Sequence, residues 1–405
     1  MRVVYCAAAA VVCASLELSG QSTRITLAES LALARDQSPA VLIARARIDE
    51  VRGRLTGARV RFRENPDIEA FAGPRRGDAG TTADVDVGFT QRFETGGQRA
   101  ARIAGAQAAV AAEQSTAHQV GRLALQESAL AFFRTVHAQE RVRLLDEAEA
   151  TARQVLEIAV RRFESGDIAV LDVNIGKTAL TRARSARMAA EGDRVAAAGH
   201  LAQLLALPAG SATVADGTLS GDRSIDLTRL LAAVDKRPDL QALAAAADEA
   251  EADVRLARGF RRPDIGVGVR ASREGADRII VGGLTLTLPA FNSGQELLST
   301  GSARASRIRI ELEAARAAAI AEIRILYDSQ LIRGAAAAAY EQEALPGAAE
   351  NEQLAERSFE VGQLTLGEFL VIRRELTETR LDYLDRLLES VETAVRRDAA
   401  AGVLQ

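Results

Sequence analysis

The sequence predicts an α+β membrane protein, with long α-helical coiled-coil hairpins and four β-strands per chain, laid down as two internal repeats. Three observations carry that expectation. The stretch Arg161–Arg184, RRFESGDIAVLDVNIGKTALTRAR, returns at Arg357–Arg380 as RSFEVGQLTLGEFLVIRRELTETR, at a constant offset of 196 residues. Two regions, around Val85 and Ile265, switch from helical spacing to strict alternation of apolar and polar residues. Elsewhere the chain runs helically for long distances without proline.

Composition narrows the class. The 405 residues carry a net charge of -4 and no basic block, so nothing points to nucleic acid. Trp is absent and aromatics are 4%, thin for a large globular core but compatible with Ala-rich helix contacts.

Taken in order, the first residues read as an export signal, assigned to residues 1–14. Arg2 supplies the positive end, Val3 to Val12 an apolar run, and Val12-Cys13-Ala14 a small-residue cleavage site. The run falls short of the ~20 apolar residues a membrane-spanning helix needs. A mature chain starting near Ser15 would lack thiols, because Cys6 and Cys13 both lie upstream. Val12 is a poor fit to the small residue expected before a lipid-accepting Cys13.

The first repeat is assigned to 15–207. Thr26 or Ser30 caps a helix with Leu27, Leu31 and Leu33, which runs to Ser38-Pro39. A second helix is predicted from about Ala40 to Arg63, stopped by Asn65-Pro66. A hairpin over 67–93 follows, with Val85, Val87, Phe89 and Phe93 on one face and Asp84, Asp86, Thr90 and Arg92 on the other. FETGGQ then returns the chain to helix, Thr95 offering a capping hydroxyl, and the pattern continues from Gln98 to Ser165. Gly166 ends that helix in a left-handed conformation. A short apolar turn leads into the next helix, with Asp172 in its first turns. Residues 208–236, rich in Gly, Ser, Asp and Thr, read as a linker.

The second repeat, 237–405, restates these parts. A helix from Pro238 stops at Arg262-Pro263, and a hairpin over 264–289 alternates through Ile265, Val267, Val269, Leu284, Leu286 and Leu288. Ser293 matches Thr95 as a capping hydroxyl. The long helix from Gln295 to Val361 carries a Pro346-Gly347 interruption where a bend is expected. Gly362 matches Gly166, and Glu368 matches Asp172.

Alternation alone also fits a sheet capping a soluble helical domain. The export signal favours the membrane, as does the lack of apolar sequence to cover the sheet's second face. Four strands leave two open edges that lipid cannot satisfy. Closure needs at least about eight strands, so the sequence asks for a homo-oligomer whose strand barrel continues into a helical tube.

The two FxxGxxxxx[DE] hairpins resemble those of the TolC-like outer-membrane factor family. So do the FETGGQR and LPAFNSGQ passages and the C-terminal LTETRLDYLDRLLESVETAVRRDAAAG, and the resemblance spans essentially the whole mature chain. The two passages are similar in particular to the heavy-metal cation efflux branch. The resemblance implies a trimer with a twelve-stranded outer-membrane barrel in lipid and a periplasmic helical tunnel. It also implies docking to a periplasmic adaptor and an inner-membrane pump, the RND type being one candidate. By the same resemblance, Gly166, Asp167, Ile168, Gly362, Gln363 and Leu364 form the adaptor-binding tip. Asp172 and Glu368 would face a narrow lumen as carboxylate rings that attract cations, or would only favour a helix N-terminus. Leu364 and Val371 stand where the best-known pattern has an Arg and an Asp, so a closed state latched by those salt links is not expected here.

No enzyme motif accompanies these features. His118, His137 and His200 lie within predicted helices without HExxH pairing and read as helix-surface residues, and no cofactor or metal site is expected. Two other classes stay open on sequence alone. One is a periplasmic coiled-coil scaffold, which detergent-dependent extraction separates. The other is a channel for protein secretion, which has the same fold and differs in its neighbouring genes or transport phenotype.

Overall fold

The computed structural model describes residues 23–77, 80–208, 213–220 and 226–404. The export signal Arg2–Ala14, with Cys6, Cys13 and the start at Ser15, lies outside the described residues. The chain opens with β1 (Thr23–Thr26), α1 (Leu27–Gln37) and α2 (Pro39–Arg59), then the hairpin strands β2 (Asp67–Gly77) and β3 (Gly80–Phe93). Helices α3 (Gln98–Glu164) and α4 (Val170–Leu204) follow, then β4 (Thr213–Asp216) and α5 (Leu227–Ala232). The second half holds α6 (Pro238–Gly259), β5 (Asp264–Glu274), β6 (Asp277–Thr287), α7 (Gln295–Ala339), α8 (Leu345–Glu360) and α9 (Leu366–Ala400).

These elements group into two compact units, and α3 and α9 contribute residues to both. One unit contains the four-stranded sheet, order β2-β3-β5-β6, antiparallel throughout. Its register decides its chemistry, because residues directly opposite share a face. Phe89 sits between Ile68 and Val269, Val87 between Ala70 and Ala271, and Ile265 between Phe93 and Leu286. That face is therefore mainly apolar, interrupted by Gln91 opposite Val267 and ending at Arg273 and Arg278, and it is uncovered in the chain, with Ile68 at 73% and Leu284 at 79% exposure. On the opposite face Arg75 pairs with Asp84 (2.6 Å) and with Glu274, and Arg270 lies 3.5 Å from Glu69 and 3.6 Å from Asp86. The outer strands β2 and β6 each have one unpaired edge.

Below the sheet, α6 and α7 pack through Ala250, Ala305 and Ile308. A further core joins Leu230, Val234, Leu240, Ala319 and Ile323 to Ala400 and Ala401 at the end of α9. Arg122 and Arg237 donate to the last carbonyls of α9, at Ala399 and Ala400. Two cations thereby complement the negative end of that helix.

In the other unit β1 and β4 form a parallel pair. The Gln139 amide stitches β4 to α3, donating to the Ala215 carbonyl and accepting its N–H, both at 2.9 Å. Residues 208–236 thus hold β4, α5 and a 3-10 turn in addition to connecting chain.

Four local expectations are revised. The second helix ends at Arg59, short of Arg63, because Phe62 leaves it to pack edge-on against Phe93, ring centroids 5.4 Å apart. The Thr95 hydroxyl donates to the Pro263 carbonyl at 2.6 Å, tying the passage from β3 to α3 to the passage from α6 to β5 across the repeats. The start of α7 has no side-chain cap from Ser293 and instead uses left-handed Gly294 (φ 81). His137 is not a surface residue: its ring nitrogen lies 2.7 Å from Asp385 and its side chain is 15% exposed. The expected interruption before Pro346 takes the form of a π turn, Tyr340–Ala344, which absorbs the hydrogen bond the proline cannot make.

The tightest backbone approach in the sheet-bearing unit is at Gly96. A Cβ there would sit 2.1 Å from the Gly259 carbonyl oxygen, whereas one on neighbouring Gly97 (φ 76) would meet open space. Gly96→Ala is expected to cost about 3 kcal/mol by overpacking, and Gly97→Ala about 1 kcal/mol from its backbone conformation alone. Thermal unfolding in detergent, followed by circular dichroism, checks the order. Equal midpoints would contradict the close approach.

Candidate functional site

The duplicated turns are one device built twice. Gly166 (φ 84) and Gly362 (φ 76) each occupy the left-handed region that lets a helix end sharply. In the first, the Asp167 N–H donates to the Arg162 carbonyl (2.8 Å) and the Gly166 N–H to Phe163 (3.0 Å). In the second, Gln363 donates to Ser358 (2.8 Å) and Gly362 to Phe359 (3.2 Å). This paired closure satisfies the carbonyls that a helix C-terminus leaves open.

The turns share one core. Val155 and Ala159 of α3 pack with Ala355 and Phe359 of α8 and with Leu366 and Phe369 at the start of α9. Phe359 and Phe369 stack with centroids 4.6 Å apart, and the Arg162 guanidinium lies 5.3 Å from the Phe359 ring. Higher on the same helices Arg373 bonds Glu352, Glu356 (2.9 Å) and Thr151 (2.9 Å), while Arg187 bonds the buried Glu149 (2.8 Å). The Glu149 and Glu352 contacts brace each hairpin within itself, and the Arg373–Thr151 bond joins one hairpin to the other.

The six tip residues divide accordingly. Gly166, Asp167, Gly362 and Gln363 are exposed, and Asp167 accepts a bond from the Ser165 hydroxyl at 2.8 Å. Ile168 and Leu364 are half-buried against the shared core and anchor the turns from within. Sequence reasoning missed the apolar residues beside them that do face outward. Val361, Val170 and Leu171 are exposed, Val361 at 70%. Their only sequence signal was apolar character immediately around a helix-ending glycine.

The matched carboxylates differ in their surroundings. Glu368 closes a capping box with Thr365: it accepts the Thr365 N–H (2.9 Å) and hydroxyl (2.7 Å), and its own N–H reaches back to the hydroxyl (3.3 Å). The backbone bond first, then the hydroxyl bond, lower its pKa from the ordinary 4.5. Thr26 and Glu29 build the same box at α1. Asp172 has no counterpart, since Ala169 stands where Thr365 does and α4 has no side-chain cap. The T-x-x-E spacing was the available signal for this local role of Glu368. Among the described residues no group of three or more His, Cys, Asp or Glu could hold a metal ion.

With this geometry in place, the comparisons with known proteins identify the family. A family model described as "Outer membrane efflux protein" matches residues 30–207 and 231–403. The chain belongs to that family. It is 26% identical over 382 residues to the cobalt-zinc-cadmium resistance protein CzcC of Cupriavidus metallidurans, covering 93% of this chain and 90% of that protein. It is 28% identical over 333 residues to protein CyaE of Bordetella pertussis, covering 78% and 68%. Its fold matches the crystal structure of the Campylobacter jejuni CmeC outer membrane channel with a TM-score of 0.78 at 14% identity, covering 93% of this chain and 85% of that one. As a member of the outer membrane efflux protein family, the chain is a non-enzymatic protein of the cell outer membrane that extends into the periplasm.

The capping box makes the second turn pH-sensitive with a definite sign. Glu368 has a folded pKa below its unfolded value, so its contribution is present above about 4.5 and is lost as pH falls through the folded pKa. The protection factors of the 365–369 amides, with the intrinsic pH dependence of exchange divided out, are expected to fall on acidification in the native protein. In Thr365→Val, which removes the two hydroxyl bonds of the box, protection is expected to be lower at neutral pH and to respond less to acid. Identical pH profiles for the two proteins would refute the assignment.

Proposed function

We propose that three copies of this chain close a twelve-stranded barrel and form the outer-membrane channel of a tripartite efflux system. The observation that carries this reading is the four-stranded sheet, with one uncovered apolar face and unpaired edges on β2 and β6. Hydrocarbon leaves no solvent for those edges, so strand β6 of one copy pairs with β2 of the next until the sheet closes. The ion pairs of Arg75 and Arg270 then line the water-filled interior.

The helices carry the path into the periplasm, and the duplicated turns are its end. Exposed Gly166, Asp167, Gly362 and Gln363, with Ile168 and Leu364 fixing their shape, form the surface for a periplasmic adaptor, which links the channel to an inner-membrane pump. Asp172 and Glu368 form carboxylate rings near that end and favour cations. The cargo class is small molecules or metal cations, and the likeness to CzcC across 90% of its length supports the cation reading. We read the chain as two repeats, 15–207 and 237–405, either side of the 208–236 connection.

Mass measurement in mild detergent is expected to return three chains of 43.0 kDa each, less the export signal. A monomer or dimer would sink the assembly. Gly362→Val, at φ 76, is expected to abolish adaptor pull-down and efflux together while the trimer persists. Asp172→Asn with Glu368→Gln is expected to preserve docking and lower the cation preference of the open pore in planar bilayers. Unaltered selectivity would reduce both carboxylates to helix-start residues.

A further inference from the structure

The helix-proximal end of the sheet carries an arginine cluster that the channel reading does not use. The two passages into the sheet read RVRFRENPD (59–67) and RGFRRPD (258–264). Arg59, Arg61, Arg63, Arg261 and Arg262 are all exposed, and none has an ion-pair partner among the described residues. Of the carboxylates in and beside the two passages, Glu64 is taken by Arg92 (3.5 Å), Glu94 by Arg102 (2.7 Å) and Asp264 by the Gln98 amide (3.2 Å), which leaves Asp67. Five arginines against that one carboxylate leave this end of the sheet net positive, a surface that attracts anions.

Their position says which anion. Contacts within the unit gather the passages: Thr95 bonds the Pro263 carbonyl (2.6 Å) and Arg99 donates to the Arg59 carbonyl (2.9 Å). The uncovered apolar face stops at this same level. Its last residues include Phe93, against which Phe62 packs edge-on, with the Arg61 guanidinium 5.6 Å from the Phe62 ring. Beyond β6, Phe291 is 95% exposed. An aromatic rim at the end of an apolar band marks the level of lipid headgroups, and arginines at that level meet phosphate. The guanidinium fork matches a phosphate's paired oxygens.

We propose that Arg59, Arg61, Arg63, Arg261 and Arg262 form a collar that binds the phosphates of anionic phospholipid in the periplasmic leaflet of the outer membrane. The inference rests on the barrel reading above. The collar fixes the depth of the channel: apolar side chains alone let a barrel slide along the membrane normal, whereas charges held at the headgroups resist movement both ways. Repetition of the arginines in both halves gives each trimer an unbroken basic ring.

The test reconstitutes the full-length chain into phosphatidylethanolamine vesicles containing about one-fifth phosphatidylglycerol, an anionic surface of the kind basic side chains recognise. The vesicles are floated, re-extracted in mild detergent, and the retained lipid is counted by native mass spectrometry. The protein is expected to retain phosphatidylglycerol at least about fivefold over its bulk ratio, the preference of roughly one basic side chain at an anionic surface. In about 1 M salt, where screening acts within about 3 Å, the retained ratio should fall to bulk. A variant carrying R61Q, R63Q, R261Q and R262Q should float as the same trimer with lipid at the bulk ratio. Bulk-ratio lipid on the native protein, enrichment that survives high salt, or enrichment kept by the variant would each overturn the collar while leaving the barrel intact. A native chain that does not float with vesicles would overturn the barrel as well.

Discussion

A β-sheet that meets hydrocarbon must spend every backbone hydrogen bond within protein, and here four strands leave β2 and β6 with one bare edge each. Much else in the chain answers that constraint. One sheet face is mainly apolar in all four strands while the other carries Arg75, Arg270, Asp84, Asp86 and Glu69, so the two faces differ in chemistry before any partner arrives. At this end of the sheet, glycines at 96 and 259 let the passage out of β3 and the passage into β5 touch backbone to backbone. A side chain at either position would push apart the hairpins whose register β3 and β5 share. The register and the two faces of the sheet are thus set within one chain.

The helices solve a different problem with small residues. Their cores are built from Ala159, Ala250, Ala252, Ala319 and Ala355, with a few large residues such as Ile323 and Phe359. Alanine gives little apolar area per residue, on the order of 25 cal/mol for each Å² buried, but it permits close axes and has the best helix propensity. Over helices of 67 and 45 residues, many weak contacts replace one large core. That explains how a chain with 4% aromatics and no Trp holds together. The few buried ions sit where such packing is thinnest in polar partners, as with Arg237 against Asp239 and Glu322.

Much of this was legible in the sequence because periodicity and punctuation are local. Alternation gave the strands at Val85 and Ile265, and the glycines at 166 and 362 gave the helix ends, since both follow from backbone sterics. What was not legible depends on distant partners. Thr95 looks like a helix cap until Pro263 is seen to take its hydroxyl. Residues 208–236 look like a linker until β1, nearly two hundred residues away, pairs with β4. His137 looks like a surface residue until α9 brings Asp385 beside it. At the candidate site the turns themselves were readable, but the inward packing of Ile168 and Leu364 and the outward exposure of Val361 were not.

The two turns also illustrate how duplication separates geometry from surface. Their backbone closures share the same two bonds, made by a left-handed glycine and the residue after it, and the second turn adds a Leu364 N–H bond to the Ser358 carbonyl at 3.3 Å. Their packing does not match. Phe359 is 7% exposed and stacks on Phe369, while its counterpart Phe163 is 44% exposed and the residue corresponding to Phe369 is Val173. The second hairpin therefore supplies the aromatic part of the shared core, while the first adds Val155 and Ala159 and lays its Arg162 over Phe359. The surfaces diverge in the same way: Ser165 and Asp167 offer a polar, internally bonded turn, whereas Val361 and Gln363 offer an apolar one. The equivalence of the halves thus ends at the backbone, and the side chains give the two turns different surfaces.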